Sequence, residues 1–179
     1  AGASGALLGA GVATYTAVLL GDTATPSWHA AHRQLPFVFA GSAAAAASGL
    51  GMLATPVAET GPARRLAVGG VAVELVAGRR MESEMGMTAE PLHQGVAGKL
   101  MRVSRALSIA GALATLPAAR GRLPAVLSGA ALMGGSVCLR FAIFEAGQAS
   151  ARDPRYTVVP QKRRLEEAPV RARELGASP

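Results

Sequence analysis

Two stretches of this chain stay uncharged for far longer than a water-exposed helix or strand would: Ala1 to Leu20 runs for 20 residues and Leu35 to Val57 for 23. An α-helix rises about 1.5 Å per residue, so about 20 residues cross the roughly 30 Å hydrocarbon core of a bilayer. Both runs predict membrane-spanning helices. The composition agrees, with 50% hydrophobic residues, 4% aromatic residues and 22 glycines. In water, an Ala and Gly core buries little area per residue, whereas in lipid small side chains let helices approach closely. Gly41, Gly49 and Gly51 predict such an approach in the second run, the alternative being compositional drift. A secretory signal would begin with a basic residue, and none precedes Arg33. Asp22, Pro26 and Trp28 mark an interfacial turn after the first run.

The later segments are shorter or interrupted. Leu66 to Gly78 has 13 residues and contains Glu74. It spans only if the helix extends from Ala63 towards Met85, with Arg79 and Arg80 snorkelling to the surface. The Met-rich stretch Arg79 to Arg105 reads as a loop lying on the membrane. Ala106 to Ala119 ends in Pro117, and Leu123 to Phe144 has 22 residues with Arg140 inside. Only Arg120, Gly121 and Arg122 separate these two, which predicts a helical hairpin. The fold class is therefore all-α: a polytopic transmembrane helical bundle of about five membrane segments over residues 1–148. Residues 149–179 form a basic, largely irregular cytoplasmic tail.

The 18 Lys and Arg outnumber the 11 Asp and Glu, for a net charge of +7. They lie between and after the apolar runs rather than in a stripe interleaved with aromatics, so they read as topology signals and not as a nucleic-acid face. The first connection, the third and the tail carry 13 of them; the second and fourth carry four, Arg64, Arg65, Arg120 and Arg122. That asymmetry places the C-terminus in the cytoplasm and Ala1 outside, in the cell (inner or cytoplasmic) membrane. The chain opens inside an apolar run and without Met, which reads as the continuation of a longer protein.

Ionisable groups inside spans are costly, so they are functional candidates by default. Glu74 is one: it could relay protons or bind a polar head group, or it could pair with Arg140. Arg140 is the other, with snorkelling to the head groups as its plain alternative. Tyr15 sits within Thr14-Tyr15-Thr16, where a phenol could hydrogen-bond a quinone carbonyl or a neighbouring helix. His29, His32 and His93 all fall in connections, which speaks against haem held between facing helices. His29 and His32 alone make a weak metal signal, and the single Cys138 provides neither a disulfide nor an iron–sulfur cluster.

The stretch GALLGAGVATYTAVLLGDTATPSWHAAHRQLPFVFAGSAAAAASG, the Glu74 segment, and GGSVCLRFAIFEAGQASARDPRYTVVPQKRRL together resemble the NrfD family, in particular its actinobacterial type. These proteins are the membrane subunits of polysulfide-reductase-like complexes, and the resemblance runs from about residue 5 to about residue 165. It implies that this chain is the C-terminal portion of a bundle of about eight helices. The implied role is a quinone-interacting anchor that uses menaquinone or another quinone and carries no haem or iron–sulfur cluster itself. The implied partners are an iron–sulfur electron-transfer subunit, a molybdenum or tungsten catalytic subunit and the lipid bilayer. By the same resemblance Tyr15 borders the quinone site, while Glu74 and Arg140 match polar residues inside the family's helices. An ion-coupled transporter and a structural membrane scaffold are the competing readings.

Overall fold

The computed structural model describes residues 2–162, without the side chains of residues 2–7 and 10. The described residues hold no strand. Six α-helices follow one another: α1 (Gly2–Gly21), α2 (Pro26–Ala30), α3 (Leu35–Ala54), α4 (Gly61–Met85), α5 (Gly95–Ala114) and α6 (Arg122–Arg152). Proline stands in the first turn of α2, α3 and α4, where its missing N–H costs nothing. Gly86 and Gly95 take positive φ of 57° and 55° and bracket the 3-10 segment Gly86–Leu92, so the chain turns sharply between α4 and α5.

Helices α3 and α4 pack against each other, α5 and α6 form the antiparallel hairpin that the short connection predicts, and α3 lies on α6. These contacts are made by small residues. Gly41 and Gly70 face each other so closely that a Cβ on Gly70 would stand 2.8 Å from the Gly41 carbonyl oxygen and 2.9 Å from the Ala45 amide nitrogen. Gly49 and Gly129 meet the same way between α3 and α6, each with 2.6 Å from the would-be Cβ to the other's carbonyl oxygen. Gly41 and Gly49 thus carry the close approach that the sequence predicts, and Gly51 adds a looser contact at Ala63.

Hydrophobic residues fill the interior together with several serines, while many large apolar side chains face outward. Ser42, Ser48, Ser104, Ser108, Ser128 and Ser136 are buried, while Phe37, Leu50, Leu66, Leu127, Phe141 and Phe144 are exposed. Two helices, Leu35–Ala54 and Arg122–Arg152, are long and apolar enough to cross a membrane, and Gly11–Gly21 is a shorter apolar helix. The polytopic expectation is met only to that extent. Helix α4 is long enough but carries Arg64, Arg65, Glu74, Arg79, Arg80, Glu82 and Glu84, and α5 carries Lys99, Arg102 and Arg105.

Two sequence expectations are corrected. The stretch Arg79 to Arg105 is not a surface loop: it completes α4, turns through Gly86–Leu92 and forms the first half of α5. Its apolar positions Met81, Met85, Ala97 and Met101 are buried, which gives it a core-facing side that a loop would lack. Beyond residue 148, α6 continues to Arg152 and residues 155–162 are helical. The remainder of the tail, with Arg163, Arg164, Arg171 and Arg173, lies outside the described residues.

Candidate functional site

The two ends of the bundle differ. At one, the Trp28 indole N–H donates to the Ile143 carbonyl at 2.8 Å, and the ring fills the space over Gly147, where any Cβ would overlap it. Ser27 donates its hydroxyl to the Thr88 carbonyl at 2.8 Å and its backbone N–H to Ser150 Oγ at 3.3 Å. Tyr156 donates to Glu90 Oε2 at 3.0 Å, and Arg155 donates to the Tyr156 hydroxyl at 2.6 Å. The first connection, the Gly86–Leu92 turn and the chain after α6 therefore share one end, the end to which the sequence assigns most of the positive charge. Burial raises the Tyr156 phenol above its ordinary pKa, its hydrogen bond to Glu90 adds to the rise, and the Arg155 charge opposes it. At the other end Arg122 donates to the carbonyls of Met52 at 3.1 Å, Thr55 at 2.9 Å and Leu53, closing the C-terminus of α3.

Glu74 sits inside the bundle, 4% exposed. Its backbone N–H lies at the α3–α4 crossing, 2.5 Å from where a Cβ on Gly41 would be, so the small residue at 41 is what lets α4 bring the carboxylate in. Ser108 of α5 donates to Glu74 Oε1 at 2.9 Å. Oε2 is buried without a hydrogen-bond partner, which is a costly state for a polar atom. Ser42 borders the carboxylate and donates to Ser136 at 2.8 Å.

Arg140 does not form an ion pair with Glu74. Its guanidinium lies 4.7 Å from the centroid of the Phe39 ring, a cation–π arrangement that holds the charge against α3, and that charge reaches Glu74 through space. Arg105 of α5 acts on Glu74 similarly. A cleft of about 100 Å³ reaches Glu74 and Arg105 but not Arg140, its lining mostly apolar (Leu75, Met81, Met101, Ile109 and others) with Arg79 and Glu82 as the further charged groups. It exists because α4 and α5 pack little against each other while each packs firmly on a different neighbour. At its mouth Glu82 pairs with Arg105 and stands 3.5 Å from His93 Nε2.

Tyr15 is not part of this group. It is 62% exposed on the outer side of α1 and does not line the cleft. The structure thus brings Glu74 and Arg140 together and leaves Tyr15 apart. Ser108, Glu82, Arg105 and His93 are the residues that sequence reasoning missed. A Ser in an apolar helix gives no sign of which carboxylate it meets, and Glu82, His93 and Arg105 fell within a stretch read as a loop.

Small-molecule pockets usually span about 300–1,000 Å³; the Glu74 cleft is smaller, and Tyr15 does not line it. Among the described residues no three His, Cys, Asp or Glu side chains gather as a metal-binding group. The arrangement can hold a proton on a buried carboxylate beside water-accessible charges. Compared with protein-family models, curated proteins and solved structures, the chain matches none of them.

Proposed function

We propose that this chain is a multi-pass membrane subunit of a quinone-linked respiratory oxidoreductase, related to the NrfD family and placed in the cell membrane with its C-terminus in the cytoplasm. In this reading it anchors an iron–sulfur electron-transfer subunit, which serves a molybdenum or tungsten subunit, and contributes proton exchange through Glu74. The single observation that carries it is the buried Glu74 carboxylate with one free oxygen in a cleft of the bundle. A buried ionisable group at such depth is expensive to keep and marks proton or ion pathways. Large apolar side chains outside and hydroxyls inside support the lipid setting. The sharing of one end by the first connection, the Gly86–Leu92 turn and the segment after α6 supports the topology that the charge asymmetry implies. Because the cleft is smaller than the usual small-molecule pocket, ring binding in this reading is completed by surfaces beyond these residues, and Tyr15 on the open side of α1 is the candidate contact.

The test is to purify the complete protein in mild detergent from its native membranes, identify the co-purifying subunits and assay iron, molybdenum and tungsten. Cluster iron with molybdenum or tungsten in stoichiometric partners is the expected result. A metal-free protein without partners refutes the reading, and proton-coupled solute uptake by such a preparation would make it a transporter. In the assembled complex, Glu74→Gln and Tyr15→Phe are expected to lower quinone-coupled turnover while leaving assembly intact; unchanged turnover in both removes them from the mechanism.

A further inference from the structure

We infer that the cleft between α4 and α5 is a one-sided, water-filled proton inlet that opens at the positively charged end of the bundle, with Glu74 as the group it loads and the Glu82, Arg105 and His93 cluster as its mouth. The inference deepens the proton-exchange role proposed for Glu74, but it needs neither the quinone nor the partners to hold. Three observations carry it. The first is the buried Glu74 side chain on the lining of the cleft, its carboxylate held by Ser108 and bordered by Ser42. The second is size and polarity: about 100 Å³ holds about three waters at their liquid volume of about 30 Å³ each, and Glu74, Arg79, Glu82 and Arg105 supply their polar partners.

The third is direction. Towards the Arg122 end, Glu74 is followed by the close Gly41–Gly70 crossing and by the buried apolar cluster of Ala45, Met52, Ala67, Val71 and Leu132, and no residue of that cluster lines the cleft. Towards the other end, the lining runs from buried Glu74 along the C-terminal half of α4, past exposed Arg79 to half-buried Glu82, with half-buried Arg105 across from it on α5. The groups that face Glu74 are Ser42 from α3, Ser108 and Arg105 from α5 and Arg140 from α6, with Arg79 and Glu82 further along α4. A hydronium at the mouth passes its proton along the waters to the Glu74 carboxylate, turning carboxylate into carboxylic acid and leaving water behind. Release reverses the step, and no electron moves.

The full-length protein in oriented membrane vesicles tests this by time-resolved infrared spectroscopy of the Glu74 carboxyl band, which Glu74→Gln identifies by its loss. An acid jump on the cytoplasmic side is expected to load Glu74 promptly, and the same jump on the opposite side at least tenfold more slowly. Glu82→Gln, which alters the mouth, and Leu75→Trp, which fills the cleft wall, are each expected to slow loading about tenfold. Equal loading from both sides overturns the inlet, as do wild-type rates in both variants. A band that responds to sodium at fixed pH overturns the proton and makes the site one for a metal cation. Loading as expected in a protein without quinone-coupled turnover would sink the quinone reading alone.

Discussion

The neighbours Gly69 and Gly70 are chemically identical on the chain and opposite in the fold, so the same substitution at each should act with opposite sign. A Cβ on Gly69 meets nothing within 4 Å, whereas one on Gly70 would stand 2.8 Å from the Gly41 carbonyl oxygen, 2.9 Å from the Ala45 amide nitrogen and 3.0 Å from the Ala44 Cβ. None of those three atoms can rotate away, so the methyl of Gly70→Ala must push α3 and α4 apart. Overpacking of this kind costs about 1–3 kcal/mol. Gly69→Ala removes a flexible residue from a helix interior without any clash and should gain about 0.5–1 kcal/mol. The two variants should therefore differ by roughly 1.5–4 kcal/mol in unfolding free energy. Titration of the purified protein from mild mixed micelles into increasing SDS, followed by circular dichroism, reads that gap. A difference below about 0.5 kcal/mol, or Gly70→Ala as the more stable variant, would refute the close-crossing account of how α4 is held.

Trp28→Phe keeps a ring over Gly147 but loses the N–H donated to the Ile143 carbonyl, and should cost about 1 kcal/mol in the same titration while exposing the first connection to limited proteolysis. Arg122→Gln releases the three carbonyls at the end of α3 and should destabilise by about 1–2 kcal/mol, less than three charged hydrogen bonds suggest because the guanidinium is largely in solvent. The Tyr156 phenol has a folded pKa above its ordinary value of 10.0, so the fold favours the protonated form. Its contribution is complete below that value and is lost as pH rises through the higher folded pKa. The phenolate absorbance of wild type minus Tyr156→Phe should titrate above pH 10 in the folded protein and at the ordinary value after denaturation.

What the sequence made legible follows from what lipid-facing sequences encode. The uncharged runs located α1 and α3, and the long apolar run around Arg140 located most of α6, because their length and apolar character depend on no other helix. The extension of the Glu74 helix from Ala63 towards Met85 was also legible, since snorkelling arginines let a helix outlast its apolar centre. The first half of α5 was not. Lys99 and Arg102 keep one side of that helix polar, while Ala97, Met101 and Ser104 are buried on the other and Arg105 stands at the border between them. A short amphipathic pattern rich in Met and Gly resembles a surface loop until its partner helix is known.

The candidate site was legible by residue type but not by company. In α3 the buried positions are Leu35, Val38, Phe39, Gly41, Ser42, Ala45, Ser48, Gly49 and Met52, a helical spacing whose middle turns, Gly41 to Gly49, mark the face by small size while Leu35, Val38, Phe39 and Met52 fill its ends. Where the surroundings are as apolar as the interior, hydrophobic periodicity no longer separates inside from outside, and side-chain volume takes over that role. Glu74 obeys this rule: it enters the bundle where Gly41 and Gly70 let two backbones meet. Tyr15 does not, because a large ring on α1 stands on the side that no described helix covers, although three hydroxyl residues in a row made that stretch look like an interior. A polar group in an apolar helix therefore points inward only when small residues on the facing helix leave room for it. By that criterion Glu74 belongs to the interior of the bundle, and Tyr15 to the side of α1 that no described helix covers.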